Sequence, residues 1–250
     1  MKYFNSASFR FYHSLNDFLP ENKRRVPFEI KFFGNPSVKD TIESLNVPHT
    51  EIDLIIANGT PVDFKYKLKD RDYISVYPEF KKIILHDKLH LLKKTEGKLK
   101  FICDVQLGKL AKYLRLLGFD TLYSNNFKAE EIIKQSKEEE RIILTRSILL
   151  LKNNEVRFGY WIRSENPIEQ LIQILIQLDL ISELNPFKRC SLCNGELVKV
   201  DKELIEDELL SGTKKYFDEF YLCNKCKKIY WQGSHYKRIN GFFQEIRKSL

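Results

Sequence analysis

Residues 101–120 read FICDVQLGKLAKYLRLLGFD and place a strand, a turn and a helix in immediate succession. The apolar run before Asp104 predicts a buried strand, which ends at that aspartate. From Leu107 to Leu117 apolar residues recur every three or four positions, which predicts an amphipathic helix terminated by Gly118. This stretch is typical of an open α/β sheet, a fold that keeps its sites at the carboxyl ends of strands.

Asp104 has two interpretations at this position. A carboxylate at the carboxyl end of a strand faces the crevice where such sheets bind ligands. An aspartate in front of a helix also accepts hydrogen bonds from the free amide groups of the first turn. The spacing leaves both interpretations open.

Strands and helices alternate throughout residues 99–186. Further strands are predicted at 120–124, 141–145 and 156–163, with helical segments between them and a long helix afterwards. Helical crossovers of this length imply parallel strand pairing. The pattern predicts a three-layer α/β domain with a parallel sheet.

The first 80 residues follow a different order. A β-hairpin is predicted over 7–33 with its loop at 20–23, and a helix over 37–46. A strand ending in the tight-turn pair Asn58-Gly59 follows, and a last strand ends at Pro78. This order predicts a β-grasp, ubiquitin-like domain.

Two close pairs of cysteines give the strongest local signal in the chain. Cys190 and Cys193 form one CxxC knuckle, and Cys223 and Cys226 form the other. Two facing knuckles give Zn²⁺ a tetrahedral shell of four thiolates, which leaves no open position for chemistry. The pattern predicts a zinc ribbon with a structural ion, whereas the remaining cysteine, Cys103, is predicted to be a small buried residue.

Basic charge is concentrated in two parts of the chain, which has a formal net charge of +8. Residues 81–120 carry ten basic against four acidic residues, and residues 187–250 carry thirteen against nine. Aromatic residues are interleaved with the cations after the second knuckle, as in proteins that stack bases and contact phosphates. The alternative is that the lysines are solvated surface residues and that Tyr230 and Trp231 pack in the core of the ribbon.

The composition also indicates in which cellular compartment the protein is expected. No apolar stretch approaches the ~20 residues of a membrane span, and the first residues lack the pattern of a signal peptide. Paired cysteines in a chain of this kind fit a reducing compartment better than a disulfide framework. The sequence therefore predicts a cytoplasmic protein without a membrane segment.

Three runs in the chain resemble the Mut-seven C-terminal RNase family. They are DVQLGKLAKYLRLLGFD at 104–120, RIILTR at 141–146 and YWQGSH at 230–235. The resemblance implies a ubiquitin-like domain at 1–80, a basic linker at 81–98, a PIN-like RNase domain at 99–186 and a zinc ribbon at 187–250. It also implies that the negatively charged partner of the two basic regions is RNA. The candidate RNA contacts are Lys109, Lys112, Arg115, Arg146, Lys227, Lys228, Tyr230, Trp231, His235, Lys237 and Arg238.

The resemblance implies catalysis by carboxylates that hold Mg²⁺ or Mn²⁺, and this chain departs from that pattern. Asp104 matches the family's first acidic position, but Ala129 and Ser147 stand where the family has aspartates. Glu130 and Glu131 lie beside the first of these gaps and are the candidate substitutes. The implied function is divalent-metal-dependent phosphodiester hydrolysis with an incomplete carboxylate set; the alternative is a degenerate module that binds RNA or ribonucleoprotein.

The ubiquitin-like stretch also resembles small sulfur-carrier proteins. Those carriers end in Gly-Gly, whereas this chain has Glu79-Phe80 at the corresponding place and continues. A sulfur-transfer partner is therefore the weaker alternative. The resemblance favours a domain that contacts a protein partner.

Overall fold

The computed structural model describes residues 4–79, 91, 99–233 and 241. Contacts divide the chain into two compact units, residues 1–98 with 129–161 and residues 99–128 with 162–250. The predicted linker at 81–98 lies outside the described residues except for Leu91. The domain boundaries proposed from the sequence stay predictions.

Twelve strands and six α-helices are assigned within the described residues. In chain order they are β1 (Asn5–Phe11), β2 (Phe28–Phe32), α1 (Val38–Ser44), β3 (Leu54–Ala57), β4 (Thr60–Val62), β5 (Tyr73–Tyr77), β6 (Lys100–Cys103), α2 (Gly108–Leu116), β7 (Asp120–Leu122), α3 (Ala129–Glu139), β8 (Ile142–Thr145), α4 (Ile148–Leu151), β9 (Gly159–Trp161), α5 (Pro167–Gln177), β10 (Leu197–Val200), α6 (Ser211–Tyr216), β11 (Phe220–Cys223) and β12 (Ile229–Trp231).

The N-terminal part of the first unit is a five-stranded mixed sheet with one helix. The strand order is β2-β1-β5-β3-β4, with β1 antiparallel to β2 and parallel to β5. Ser37 begins α1 by accepting a hydrogen bond from the Asp40 amide at 3.1 Å. The predicted tight turn forms at Asn58 and Gly59, where φ is 51° and 82°. The β-grasp prediction is confirmed.

The connection between β1 and β2 is longer than the sequence pattern indicates. Two 3-10 helices, His13–Phe18 and Glu21–Lys23, occupy it. Leu15 and Phe18 in the first of them, and Leu19 directly after it, are buried. The predicted hairpin loop at 20–23 is therefore one part of a folded connection, because apolar residues in the loop complete the core.

Residues 129–161 of the same unit add α3, β8, α4 and β9, and β8 is parallel to β9. Ile148 and Trp161 pack against the apolar core of the N-terminal sheet. The Phe18 and Trp161 rings lie 4.8 Å apart, centroid to centroid. This packing joins the ubiquitin-like fold to part of the predicted RNase domain.

The second unit begins with the strand-to-helix segment that the sequence singles out. β6 is parallel to β7, with Lys100 opposite Asp120 and Ile102 opposite Leu122. Helix α2 packs on both strands and on α5. Gly118 ends the helix with φ of 96°, and a Cβ there would lie 2.0 Å from the Asn185 carbonyl oxygen. Glycine is therefore required at this position for its conformation and for its lack of a side chain.

The C-terminal part of the second unit is an antiparallel sheet of order β10-β11-β12. The acidic segment between β10 and β11 forms two 3-10 turns followed by α6. Among the helices that the structure describes, none has the length and apolar character needed to cross a bilayer.

Candidate metal centre and nuclease residues

The four cysteines of the two knuckles converge in the second unit. Their sulfur atoms all lie within 4.8 Å of one another, with 3.6 Å between Cys190 and Cys226 and 3.5 Å between Cys193 and Cys223. Zinc–sulfur bonds of about 2.3 Å in a tetrahedron separate the sulfurs by about 3.8 Å. The donor type, number and spacing fit a zinc ion.

The pKa values of these thiols also indicate that a bound cation is needed to hold all four as thiolates. Burial opposes ionisation of Cys190, but hydrogen bonds from the Tyr230 hydroxyl and the Cys193 amide outweigh it and lower the pKa of Cys190 to about 7. Burial and the neighbouring thiols raise the pKa of Cys193 to about 12. Four adjacent thiolates repel one another, so full ionisation requires a bound cation.

Glycine and local backbone turns bring the knuckles together. The Cys190 amide donates to the Gly195 carbonyl at 2.7 Å, and the Lys227 amide donates to the Cys223 carbonyl at 3.1 Å. A Cβ on Gly195 would lie 2.8 Å from the Cys223 sulfur. The absence of a side chain at this position therefore leaves room for the second knuckle beside the first.

The first knuckle is tied to α2 by a buried arginine. Arg115 is 5% exposed and donates to the carbonyls of Thr121 at 2.8 Å and Leu192 at 2.9 Å. Burial lowers the pKa of its guanidinium. The sequence assigns Arg115 to RNA contact, which stays untested, but its guanidinium is engaged with the carbonyls that join helix, strand and knuckle.

A second set of contacts ties the same knuckle to the start of β7. Asp120 accepts hydrogen bonds from Arg189 Nη2 at 3.1 Å and from Asn194 Nδ2 at 2.8 Å. Asn194 Oδ1 in turn accepts from the Thr121 amide at 2.9 Å. The metal centre is therefore built onto the α/β part of this unit through specific polar contacts.

The two aromatic residues of the predicted RNA-binding tail are partly engaged inside the ribbon. The Tyr230 hydroxyl lies 3.1 Å from the Cys190 sulfur and 3.2 Å from the Ser191 hydroxyl. The Trp231 ring lies 6.5 Å from the Phe217 and Phe220 rings. Both side chains stay half-exposed. The ribbon-packing alternative therefore accounts for part of each side chain.

Asp104 stands directly after β6 and in front of the turn that leads into α2. Its Oδ1 accepts a hydrogen bond from the Val105 amide at 2.7 Å, as the capping interpretation expects. The Tyr123 hydroxyl, at the end of the neighbouring β7, lies 3.0 Å from the Val105 carbonyl oxygen. Gly108 gives this ring space, because a Cβ there would lie 2.6 Å from the hydroxyl. The turn that carries Asp104 is thus fixed on two sides.

Within the second unit, the described residues gather no group of three or more metal-ligating side chains other than the cysteines. A divalent cation that prefers oxygen ligands usually takes about six. Asp104 fits as one such ligand, and the rest of a shell for Mg²⁺ or Mn²⁺ is not assembled within this unit.

The other residues of the predicted nuclease site lie in the first unit. Glu130 and Glu131 are exposed in the first turn of α3, where acidic residues stabilise a helix N-terminus. Ser147 begins α4, and its hydroxyl accepts from the Leu150 amide at 3.3 Å. Arg146 is half-buried at the end of β8. Their catalytic and RNA-binding roles stay predictions.

The predicted lysine contacts lie at the surface. Lys109 and Lys112 are exposed on α2, and Lys227 and Lys228 are exposed after the second knuckle. The remaining predicted contacts lie outside the described residues; they are His235, Lys237 and Arg238.

Sequence reasoning missed several polar residues with defined roles. His49 lies 2.7 Å from a Glu43 carboxylate oxygen and 2.9 Å from the Val156 carbonyl oxygen. Glu51 is 3% exposed and accepts from the Trp161 amide at 2.7 Å. Their partners are more than 100 residues away for two of these contacts, so no local pattern identifies them.

A parallel α/β segment joined to a four-cysteine cluster defines the class: an α/β protein with a C-terminal cysteine cluster that can bind a metal and an N-terminal ubiquitin-like fold. The family model described as "Mut7-C RNAse domain" matches residues 99–243, and the family model described as "Mut7-C ubiquitin" matches residues 4–84. The chain belongs to the Mut7-C family. It carries the RNase domain of that family together with its ubiquitin-like domain.

No curated protein matches the chain. Among solved structures, the chain is similar to SAMP1 from Haloferax volcanii, with 13% sequence identity and a TM-score of 0.25. The match covers 31% of this chain and 98% of that one.

Proposed function

We propose that this protein acts on RNA as a metal-dependent ribonuclease, with Asp104 as the central carboxylate. The observation that carries the proposal is the position of Asp104 at the carboxyl end of a parallel strand in a chain of an RNase family. Parallel α/β sheets place their sites at this edge. The hydrogen bond from the Val105 amide holds the carboxylate in a defined orientation at this edge.

Each residue of the proposed site has a distinct role. Asp104 would hold a divalent cation, with Glu130 or Glu131 as the candidate second ligand. The ion, when bound, would activate water and stabilise the leaving oxygen of a phosphodiester. Tyr123 fixes the turn that carries Asp104 through its contact with the Val105 carbonyl. Basic side chains on the surface bind the phosphates of the RNA.

A second function, RNA binding without cleavage, is favoured by two observations. Ala129 and Ser147 carry no charge where the family resemblance implies aspartates. The Asp104 carboxylate also caps the turn that follows it, which is a structural role. On this alternative the RNase fold is retained as a binding module for RNA or ribonucleoprotein.

Replacing Asp104 by Asn separates these functions. In the proposed ribonuclease, Asp104→Asn abolishes Mg²⁺- or Mn²⁺-dependent cleavage and leaves RNA affinity nearly unchanged, because phosphate contacts elsewhere supply most of the affinity. Cleavage is measured on labelled single-stranded RNA with each metal, and affinity by fluorescence anisotropy. Glu165→Gln is a control, because it removes an exposed carboxylate outside the proposed set.

Restoring the missing acids tests the same proposal in the opposite direction. The double change Ala129→Asp with Ser147→Asp adds two carboxylates to the implied set, so cleavage by the proposed ribonuclease increases. Wild-type protein that binds RNA but cleaves no substrate with either metal contradicts the ribonuclease proposal and favours the binding module.

The proposed RNA contacts include lysines after the second knuckle, of which Lys227 and Lys228 are exposed. Replacing Lys227, Lys228 and Lys237 with Ala lowers RNA affinity and flattens its dependence on salt. Each lost phosphate contact reduces the slope of log affinity against log salt by roughly 0.7 for a single strand. The matched control is Lys199→Ala, since Lys199 is paired with Glu219 at 2.9 Å. An unchanged slope means that the tail lysines are solvated surface.

Two finer assignments accompany this proposal. The ubiquitin-like domain contacts a protein partner. The protein works in a reducing compartment such as the cytoplasm, because two CxxC pairs suit metal ligation better than a disulfide framework.

A further inference from the structure

A cleft of about 550 Å³ lies beside the end of β1 in the N-terminal sheet. Its lining includes Arg10, Tyr12, His13, Ser14, Asp17 and Arg25. None of these residues belongs to the cysteine centre or to the predicted nuclease site. The volume falls in the range of pockets that hold small molecules.

Two guanidinium groups in the lining have no acidic partner among the described residues. Neither Arg10 nor Arg25 forms an ion pair within the part of the chain that the structure describes. Asp17 is the one carboxylate of the lining, so two positive charges face one negative charge. The cleft therefore has a net positive charge that matches a singly charged anion.

Arg10 is held by aromatic rings and not by a carboxylate. Phe9 and Phe11 on either side of it are buried, so Arg10 extends from the opposite face of β1. Its Cζ lies 5.0 Å from the centre of the Tyr12 ring, which stacks on Tyr77 at 4.2 Å. This contact positions the cation without neutralising it.

The same side chain contains an unsatisfied donor. The Arg10 Nε atom is buried and has no hydrogen-bond partner among the described residues. A buried donor without an acceptor destabilises the folded chain. An oxygen that enters the cleft recovers this free energy when the guanidinium turns toward it.

Asn16 fixes the rim of the cleft. Its Nδ2 donates to the carbonyls of Phe11 at 3.0 Å and His13 at 3.1 Å, and its Oδ1 accepts from the Arg25 amide at 2.6 Å. His13 and Arg25 adopt φ of 48° and 62°, in the left-handed region. One buried amide thus holds two uncommon backbone conformations, which prepares the rim for a ligand.

We propose that this cleft binds a backbone phosphate of RNA, so that the ubiquitin-like domain provides a second contact to the strand. Guanidinium groups prefer phosphate and carboxylate oxygens, and a phosphodiester carries the single negative charge that the cleft balances. The choice of RNA rests on the proposed function, because the chain carries an RNase domain.

The test uses the full chain and short single-stranded RNA, followed by fluorescence anisotropy. Arg10→Gln and Arg25→Gln each weaken RNA binding roughly tenfold and reduce the salt slope by about 0.7. Asp17→Asn strengthens binding because it removes the one negative charge of the lining. Arg71→Gln is the matched control, since Arg71 belongs to the same sheet domain, is 91% exposed and lies outside the cleft.

Melting temperatures of the variants verify that they remain folded. Arg25 is exposed, so its replacement keeps the test valid even where Arg10→Gln unfolds the domain. Wild-type protein that binds RNA with unchanged affinity in both arginine variants overturns the cleft proposal and leaves the proposed function intact.

A separate probe covers the case in which the wild-type protein binds no RNA, which contradicts the proposed function. Inorganic pyrophosphate is then titrated into wild type and Arg10→Gln, and amide NMR shifts are recorded. Shifts at Tyr12 and His13 that disappear in the variant support a phosphate site. No shift, or binding of a glutamate-rich peptide alone, overturns it.

Discussion

The cysteine centre and the Asp104 turn belong to the same compact unit but differ in how their ligands are supplied. Four thiolate donors converge within 4.8 Å from two knuckles, whereas Asp104 is one carboxylate at the end of β6. The knuckles are local turns, so two short segments and one antiparallel sheet suffice to bring them together. A carboxylate site of the PIN type would draw its ligands from separate elements, and Ala129 and Ser147 stand where the family resemblance implies two of them.

On the proposed function, this difference assigns stability to the cysteine site and chemistry to the Asp104 site. A thiolate shell filled by four ligands is closed, so its free energy of metal binding contributes to folding. The Asp104 carboxylate caps the turn that follows it, and such a cap contributes about 1 kcal/mol. We therefore expect substitutions at the first site to affect the fold and substitutions at the second to affect activity.

The largest expected effect is the loss of the metal centre. Cys190→Ser or Cys226→Ser removes a ligand, so the zinc content falls from one ion per chain to none and the second unit loses more than about 4 kcal/mol. Elemental analysis and thermal unfolding measure both quantities. Cys103→Ala is the control, because Cys103 is buried in β6 and its loss costs about 1 kcal/mol without metal release. Wild-type protein without zinc contradicts this prediction.

The next effect tests the link between the metal centre and α2. Arg115→Met leaves the Thr121 and Leu192 carbonyls without their donor, so we expect a loss of about 2–4 kcal/mol and faster zinc transfer to a chelator. Lys112→Met, on the exposed face of the same helix, should change stability by less than about 0.5 kcal/mol. If Arg115→Met weakens RNA binding and leaves stability unchanged, then the sequence-based assignment of Arg115 is the better one.

The smallest effect concerns the hydroxyl beside the first knuckle. Tyr230→Phe removes a hydrogen bond that lowers the pKa of Cys190, which raises this pKa toward its ordinary value. Zinc binds the thiolate form of cysteine. On acidification, Tyr230→Phe should therefore lose zinc at a higher pH than the wild type does. A bond of about 1 kcal/mol corresponds to about 0.7 of a pH unit.

A pH titration of zinc binding against a competing chelator measures this shift. Tyr221→Phe is the matched control, because Tyr221 lies opposite Tyr230 on β11 and its ring stacks on Phe187. Equal curves for Tyr230→Phe and wild type would show that the hydroxyl does not influence the thiolate.

Much of the fold is predictable from the sequence because its signals are local. The N-cap Ser37, the turn at Asn58-Gly59 and the terminator Gly118 each act within a few residues of their own position. Apolar periodicity similarly predicts α2 and the strands around it. The folded connection between β1 and β2 is the exception, because it forms only when its apolar residues pack into the core.

The order of elements, the family and the cysteine ligand set can be read from the sequence, since periodicity, capping residues and CxxC spacing each depend on near neighbours. The roles of Arg115 and Glu51 depend on the tertiary structure. Arg115 has the sequence pattern of a surface cation, but it is buried and donates to the Leu192 carbonyl, 77 positions away. Glu51 is a buried acceptor for the Trp161 amide, 110 positions away. Such roles depend on burial and on partners distant in sequence, which no local pattern encodes.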